Sequence, residues 1–216
     1  MHDKTSLQTH LECILPGAEL RETTVPGTTL RLLLLGDDYP RSALSPDQVR
    51  RVMDNPLYWV FCWASGQVLA RLLLDEPERV AGRRVLDFGC GSGVVAIAAA
   101  VAGAREVIAC DNDPHALEVT RVNAELNGVQ LICARDFADV TGPVDLVTVA
   151  DVLYDRANFC WLQRFVARAD KVLIADSRVK QFDHPPYRQI ARRESCTLPD
   201  LDESQEFRGV RIYLAD

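Results

Sequence analysis

The sequence predicts an α/β protein with a doubly wound, mostly parallel seven-stranded sheet and a small N-terminal α+β extension. Three observations carry this prediction. Short apolar runs alternate with helical stretches, a glycine-rich turn follows the first run, and aspartates follow several runs. Because Val, Ile and Leu occupy both odd and even positions, we expect parallel strands covered on both faces. The five runs span residues 84–88, 106–110, 130–134, 145–150 and 171–175.

The extension covers residues 1–56 and mixes helical and extended patterns. Apolar residues at helical spacing predict a short first helix, and two strand-like runs follow at residues 20–25 and 29–35. Residues 45–48 read Ser-Pro-Asp-Gln, which is an N-cap, a proline at the first helical position and a capping-box glutamine. They predict a second helix that ends near Pro56. The apolar residues of the first helix are Leu7, Leu11, Ile14 and Leu15.

The main domain covers residues 57–216, and its strand order follows from one short connection. Residues 135–144, which join the third and fourth runs, are too few for a crossover helix. Ten extended residues still reach about 33 Å, whereas three strand spacings need only about 15 Å. With two further strands at 195–198 and 205–214, we expect the order 3-2-1-4-5-7-6, whose switch point between strands 1 and 4 binds ligands. Helices are predicted at 64–75, 93–103, 114–127 and 156–168.

Composition limits the classes of partner. The chain has 24 Lys and Arg against 31 Asp and Glu, a formal net charge of −7, which argues against a nucleic-acid partner. The longest aliphatic run, residues 32–35, is far shorter than the about 20 residues of a membrane span, and the N-terminus lacks a secretory pattern. The seven cysteines form no Cys-x-x-Cys pair. We therefore expect no metal, no membrane and a reducing, cytoplasmic location.

A glycine-rich turn, DFGCGSG, begins at Asp87 and opens the Ala-rich helix. Val94 stands where a dinucleotide fingerprint requires its third glycine. A carboxylate at Asp87 would repel a pyrophosphate but attract an ammonium group. S-adenosylmethionine has an α-amino group, a sulfonium and no phosphate, so we expect it to be the cofactor, held by Asp87, Gly89, Cys90 and Gly91. The alternative for Asp87 is a cap of the following turn.

Other residues of the predicted cofactor site follow the second and third strands or precede a helix. Asp111 ends the second strand, 20 residues after Gly91, where a carboxylate can accept both ribose hydroxyls. Asn112 follows it, and Asp136 follows the third strand, where it could accept the adenine amino group. Trp63 precedes a helix and could face the sulfonium. The alternatives are a turn residue for Asp111, a solvated loop for Asp136 and core packing for Trp63.

The predicted reacting end of the site follows the fourth strand, at Asp151-Val152-Leu153-Tyr154-Asp155. Methyl transfer is an in-line displacement that depends on positioning rather than on covalent help from the protein. An acceptor amine must arrive neutral, and Asp151 and Tyr154 can orient it by hydrogen bonds. We therefore assign both as catalytic residues, with Asp151 also beside the cofactor. The alternative is that Asp151 or Asp155 caps the next helix.

These motifs resemble those of the seven-β-strand, class I S-adenosylmethionine-dependent methyltransferases. The segments YWVFCWASGQVLAR from residue 58, LDEP from 74, DNDPHAL from 111 and VLIAD from 172 are similar to the electron transfer flavoprotein β-subunit lysine methyltransferase group. The resemblance covers about residues 56–180. It implies cofactor binding by the glycine turn, Asp111 and Trp63, and a substrate role for Asp151 and Tyr154. Leu153 departs from the aromatic residue that the group often has there.

The resemblance implies an S-adenosylmethionine-dependent N-methyltransferase that modifies a protein lysine, with the electron transfer flavoprotein β-subunit or a similar protein as partner. Two alternatives stay open: a small-molecule N-methyltransferase, and a cofactor-binding but catalytically idle interaction protein. The run His184-Pro185-Pro186-Tyr187 resembles a motif of other methyltransferases but follows the fifth strand, so we interpret it as a rigid surface turn.

Overall fold

The computed structural model describes residues 4–39, 44–180, 182–200 and 204–216. Parts of the predicted extension, residues 1–3 and 40–43, therefore lie outside the described residues. The helices are α1 (Lys4–Ile14), α2 (Pro46–Asp54), α3 (Ala64–Asp75), α4 (Val94–Val101), α5 (Pro114–Leu126) and α6 (Trp161–Arg168). The strands are β1 (Leu20–Thr24), β2 (Arg31–Leu35), β3 (Arg84–Phe88), β4 (Glu106–Cys110), β5 (Ile132–Ala134), β6 (Val144–Ala150), β7 (Ala169–Asp176), β8 (Arg188–Glu194) and β9 (Gly209–Ala215).

The main sheet has seven strands in the order β5-β4-β3-β6-β7-β9-β8. Counted from β3, this is the predicted order 3-2-1-4-5-7-6. The first five strands run parallel, and β9 pairs antiparallel with both β7 and β8. The connection from β5 to β6 contains only a short 3-10 helix, Phe137–Asp139, as its length predicted. The switch point between β3 and β6 is therefore confirmed.

Two predicted elements at the C-terminal end of the chain are wrong in position. The sixth main-sheet strand is β8 at Arg188–Glu194 and not residues 195–198. Its sequence, RQIARRE, is mostly exposed and charged, as suits an edge strand, so it lacks the apolar pattern that was used to find strands. Leu198 instead forms a two-way backbone bridge with Cys62, ahead of α3. The last strand begins at Gly209, because Gln205–Phe207 forms a 3-10 helix.

Helices cover both faces of the sheet. α3, α4 and α5 contribute to an apolar cluster on one face, and α6 packs with Phe165 into a cluster on the other. The sequence of α4, VVAIAAAV, is rich in small residues, which lets its backbone approach the sheet and α3 closely. The predicted helix at 156–168 divides into a 3-10 turn, Arg156–Cys160, and α6. The sheet edge that carries the candidate site is thus held between packed layers.

The N-terminal extension packs against α5. Strands β1 and β2 form an antiparallel hairpin, and the backbone N–H of Leu33 donates to Asn123 Oδ1 at 2.6 Å. Leu7 and Leu11 of α1 join one apolar cluster with residues of α5. The predicted capping box of α2 is present, with reciprocal bonds between Ser45 and Gln48. The extension is therefore attached to the main domain through α5.

Two negative findings concern the described residues alone. None of the helices that they form is long and apolar enough to cross a membrane. In the same parts of the chain, His, Cys, Asp and Glu side chains form no group of three or more that could hold a metal ion. The seven cysteines are all free thiols.

Candidate active site

A cavity of about 750 Å³ lies at the carboxyl ends of the parallel strands. Its lining includes Gly89 after β3, Asp111 after β4, Asp136 after β5 and Asp151 after β6. These residues are distant in sequence, and the parallel sheet brings them to one edge because each follows the end of a strand. The structure therefore places the predicted residues of four loops around one cavity.

The glycine turn needs glycine for two separate reasons. Gly89, Gly91 and Gly93 all have positive φ values, of 70°, 53° and 82°. A Cβ atom on Gly89 would lie 2.7 Å from Val152, and one on Gly93 would lie 2.8 Å from Thr120 Oγ1. The first approach brings the β3 and β6 loops together, and the second packs the turn onto α5. Gly89 and Gly91 line the cavity.

Asp87 does not line the cavity, and the contact predicted between its carboxylate and a cofactor ammonium stays a prediction. The side chain is 2% exposed. Its Oδ1 accepts from Thr148 Oγ1 at 2.8 Å, and its Oδ2 accepts from the Ala96 N–H at 3.2 Å. Burial raises the pKa of Asp87 to about 7, against the lowering effect of these two hydrogen bonds. Asp87 thus ties β3 to β6 and to α4, below the glycine turn.

Asp111 faces the cavity with a carboxylate that two backbone groups hold in place. Its Oδ2 accepts from the Gly91 N–H at 2.9 Å, and its Oδ1 accepts from the Asp113 N–H at 3.0 Å. Partial burial raises its pKa, while the bonds from Gly91 and Asp113 lower it. Each oxygen keeps a lone pair for a further donor. This arrangement suits a vicinal diol such as a ribose.

Part of the cavity wall is aromatic. Phe88, Phe137 and Trp161 all line it, and the rings of Phe88 and Trp161 lie 4.7 Å apart between centroids. Asp136 and Asn112 are exposed and lie on the same lining. The Asp136 carboxylate also caps the short helix after β5, because its Oδ1 accepts from the Ala138 N–H at 2.8 Å. The sequence did not predict this aromatic wall, since its residues belong to a strand, a connection and a helix.

The mouth of the cavity carries aromatic side chains and one arginine. Trp63 donates from Nε1 to the Tyr58 carbonyl at 3.0 Å, and its ring lies 6.0 Å from the Arg178 guanidinium carbon. Tyr58 and Tyr154 are 49% and 56% exposed, with ring centroids 5.9 Å apart. Desolvation and the neighbouring Tyr58 raise the pKa of Tyr154 to about 12. Its hydroxyl therefore stays protonated at neutral pH and can donate or accept a hydrogen bond.

Asp151 lies on the cavity lining. It is the one residue other than glycine, among those the structure describes, that has a positive φ, of 50°. The residue that caps the next helix is Asp155, whose Oδ1 accepts from the Ala157 N–H at 2.9 Å. The sequence left either Asp151 or Asp155 as the cap of this helix, and in the structure Asp155 has that role.

Two further sequence motifs lie away from the cavity. Cys90 is 7% exposed, does not line the cavity, and packs with its sulfur 3.5 Å from Thr120 Oγ1. The run from His184 to Tyr187 forms a turn beside α6, and the Tyr187 hydroxyl donates to the Leu162 carbonyl at 2.7 Å. Tyr58 and Arg178, by contrast, line the cavity and were not predicted from the sequence. The only sequence signal for them is position: Tyr58 lies shortly before Trp63, and Arg178 follows β7.

Comparison with known proteins gives two groups of sequence relatives. Residues 69–160 match the family model described as ribosomal protein L11 methyltransferase (PrmA). The chain is 40% identical over 159 residues to the electron transfer flavoprotein beta subunit lysine methyltransferase of Xenopus laevis, covering 69% of this chain and 65% of that one. The Danio rerio protein of the same name is 41% identical, with 69% and 62% covered. The chain thus spans a little less than two thirds of these relatives.

Solved structures share the fold. The ribosomal protein L11 methylase of Lactobacillus delbrueckii subsp. bulgaricus superposes with a TM-score of 0.54 at 21% identity, over 70% of this chain and 78% of that one. The 16S rRNA N2 G1207 methyltransferase of T. Thermophilus, solved with AdoMet and guanosine, gives a TM-score of 0.58 at 15% identity, over 92% and 50%. Together with the strand order and the sequence relatives, these structures show that the chain has the fold of the class I S-adenosylmethionine-dependent methyltransferases.

Proposed function

We propose that this protein is an S-adenosylmethionine-dependent N-methyltransferase that modifies a lysine side chain of a protein. One observation carries the proposal: the loops after β3, β4, β5 and β6 surround a single cavity that has a carboxylate, an aromatic wall and an open aromatic mouth. The similarity to lysine methyltransferases supports the acceptor class.

The donor set of the cavity fits the proposed cofactor. Asp111 offers two carboxylate oxygens, already oriented by backbone N–H groups, for two ribose hydroxyls. The wall formed by Phe88, Phe137 and Trp161 suits a flat adenine ring, with Asp136 and Asn112 at its edge. Trp63 also lines the cavity and presents an aromatic ring against which a sulfonium can lie.

The residues at the mouth would orient the acceptor. When bound, S-adenosylmethionine supplies a methyl group on a positive sulfur, so that the C–S bond breaks as the N–C bond forms and the electron pair stays on sulfur. Asp151 accepts a hydrogen bond from the acceptor amine and offsets the charge of the methylated product. Tyr154, protonated at neutral pH, provides a second hydrogen-bonding group. The exposed rings of Tyr58 and Tyr154 flank the path of an aliphatic side chain into the cavity.

The candidate acceptors follow from the relatives. Two relatives are named for the electron transfer flavoprotein beta subunit, and the family model is named for ribosomal protein L11. We favour the flavoprotein β-subunit, because the similarity to its methyltransferases extends over 159 residues. A small-molecule acceptor and an idle interaction protein are the alternatives that the test must separate.

The test is label transfer from methyl-labelled S-adenosylmethionine into a lysate of the source organism, followed by separation by mass. Purified flavoprotein β-subunit and purified L11 are added in parallel reactions. Label on a lysine of the β-subunit supports the proposal, and label on L11 would move the acceptor to that protein. Label confined to metabolites would refute the protein acceptor, and no label at all would favour the idle reading.

The cellular location and the nucleic-acid partner remain predictions. We propose a cytoplasmic location and no nucleic-acid substrate, the latter supported by the net charge of −7. Cell fractionation tests the first, and label transfer to purified RNA tests the second.

A further inference from the structure

The carboxylate of Asp151 connects two distant segments of the chain. Its Oδ1 accepts from Ser65 Oγ at 2.7 Å, from Ser177 Oγ at 2.9 Å and from Ser177 N at 3.1 Å. Its Oδ2 accepts only from Ser65 N, at 3.2 Å. A carboxylate oxygen has about two lone-pair sites, so Oδ1 is fully engaged whereas Oδ2 keeps capacity for one more donor.

The backbone of Asp151 is held in an uncommon conformation. Its φ of 50° is in the left-handed region, which costs a residue with a side chain about 1 kcal/mol or more. Its N–H donates to the Ala175 carbonyl at 3.0 Å, so the strand ladder and the two serines fix the residue together. Such strain persists only where surrounding contacts determine it, and here it occurs on the cavity lining.

We infer that Ser65 and Ser177 are positioning residues that occupy Oδ1 of Asp151 and so present Oδ2 to the acceptor amine. The inference rests on the proposed function and adds that the two carboxylate oxygens of Asp151 have different roles. One oxygen is structural and joins the start of α3 to the end of β7. The other accepts an N–H of the amine, which turns the nitrogen lone pair toward the reacting carbon.

A purely structural role for the same contacts makes a different prediction. Ser65 N is one of the N–H groups in the first turn of α3, and the N-cap residue Trp63 has no side-chain hydrogen bond to that turn. Asp151 could therefore act only as a remote helix cap. In that case, removing the serine hydroxyls would lower the melting temperature and leave turnover unchanged.

The experiment compares Ser65→Ala, Ser177→Ala and the double variant with the wild type. The acceptor is purified flavoprotein β-subunit, or the labelled lysate protein if that is identified first. We expect kcat to fall about tenfold in each single variant and about 100-fold in the double variant, since each hydroxyl donates to a charged oxygen. KM for the acceptor, from steady-state kinetics, should change less than about threefold. The affinity for S-adenosylmethionine, from calorimetry, should also change less than about threefold.

Two further variants sharpen the comparison. Ser177→Thr keeps the hydroxyl and should retain most of kcat. A fall in kcat that occurs in Ser177→Ala but not in Ser177→Thr would point to the lost hydroxyl as its cause. Thr9→Ala removes an exposed hydroxyl that bonds within α1, away from the cavity, and should match the wild type.

The outcomes separate this inference from the proposed function. A wild type that methylates no protein refutes the proposed function. An active wild type and a double variant with kcat within about twofold of it refute the positioning role alone. A lower melting temperature with unchanged kcat also overturns it, because the serines would then only stabilise the fold.

Discussion

Asp87→Asn tests the buried carboxyl below the glycine turn. The asparagine has nearly the same shape: its oxygen can accept from the Ala96 N–H, and its amide can donate to the Thr148 hydroxyl, which can also accept. The variant therefore keeps the contacts and loses only the titratable group. Burial raises the pKa of Asp87 from its ordinary 3.8 to about 7 in the folded protein.

Because the pKa of Asp87 is raised in the folded protein, the free energy of unfolding falls as pH rises. Between pH 4 and 7 the folded protein binds a proton at Asp87 that the unfolded chain does not bind, so the stabilisation is present at low pH and is lost as pH rises to about 7. A change of about three pH units corresponds to about 4 kcal/mol. We therefore expect the wild type to lose about 4 kcal/mol relative to Asp87→Asn between pH 4 and pH 8.

Urea unfolding of both proteins at several pH values measures this difference. The free energy of unfolding of the variant minus that of the wild type should rise by about 1.4 kcal/mol for each pH unit between 5 and 7. Thr148→Val, which removes the donor to Oδ1, should move the transition to higher pH because it removes a bond to the charged form. A difference that does not depend on pH would refute the reasoning.

The same variant tests the contact that the sequence predicted between Asp87 and the cofactor. Because the side chain is 2% exposed and outside the cavity, we expect S-adenosylmethionine affinity to change less than about threefold. A loss of about 100-fold in S-adenosylmethionine affinity by calorimetry, with the fold retained, would instead support a direct contact between Asp87 and the cofactor.

Three further predictions concern the cavity and its turn. Asp111→Asn should weaken S-adenosylmethionine binding about 10- to 100-fold in calorimetry, since charged hydrogen bonds to the ribose are lost; unchanged affinity would remove its assigned role. Gly93→Ala should cost roughly 2–5 kcal/mol of stability, because it adds a clash with Thr120 to a positive φ, whereas Gly91→Ala, with open space, should cost only about 1 kcal/mol. Equal costs would contradict this packing. Tyr154→Phe should lower kcat about tenfold with cofactor affinity retained, and an unchanged kcat would exclude its hydroxyl from the reaction.

The strand order and the cavity could be predicted because they depend on local patterns. Apolar runs gave the parallel strands, and the short connection from residue 135 to 144 limited where the fourth strand could lie. Aspartates at strand ends were brought to one edge, as parallel topology requires. The edge strand β8 was missed because its exposed, charged sequence lacks that apolar pattern.

The direction of side chains was harder to predict. Alternation along β3 assigns Asp87 to the same face as Val85, which packs in the cluster under α3 and α4, while Phe88 lies on the other face. Because side chains alternate between the two faces of a strand, the sequence alone could have indicated that Asp87 faces away from the cavity that Phe88 lines. The left-handed φ of Asp151 had no such signal in the sequence, and the two serines that bond to its carboxylate, Ser65 and Ser177, are distant along the chain.

The decisive measurement is mass spectrometry of purified flavoprotein β-subunit after incubation with this protein and S-adenosylmethionine, with peptide mapping of the modified residue. We predict added methyl groups on a lysine nitrogen, and their loss when Asp151→Asn replaces the wild type. An unmodified β-subunit, together with no methylated protein in the lysate, would show that the cavity does not perform protein lysine methylation.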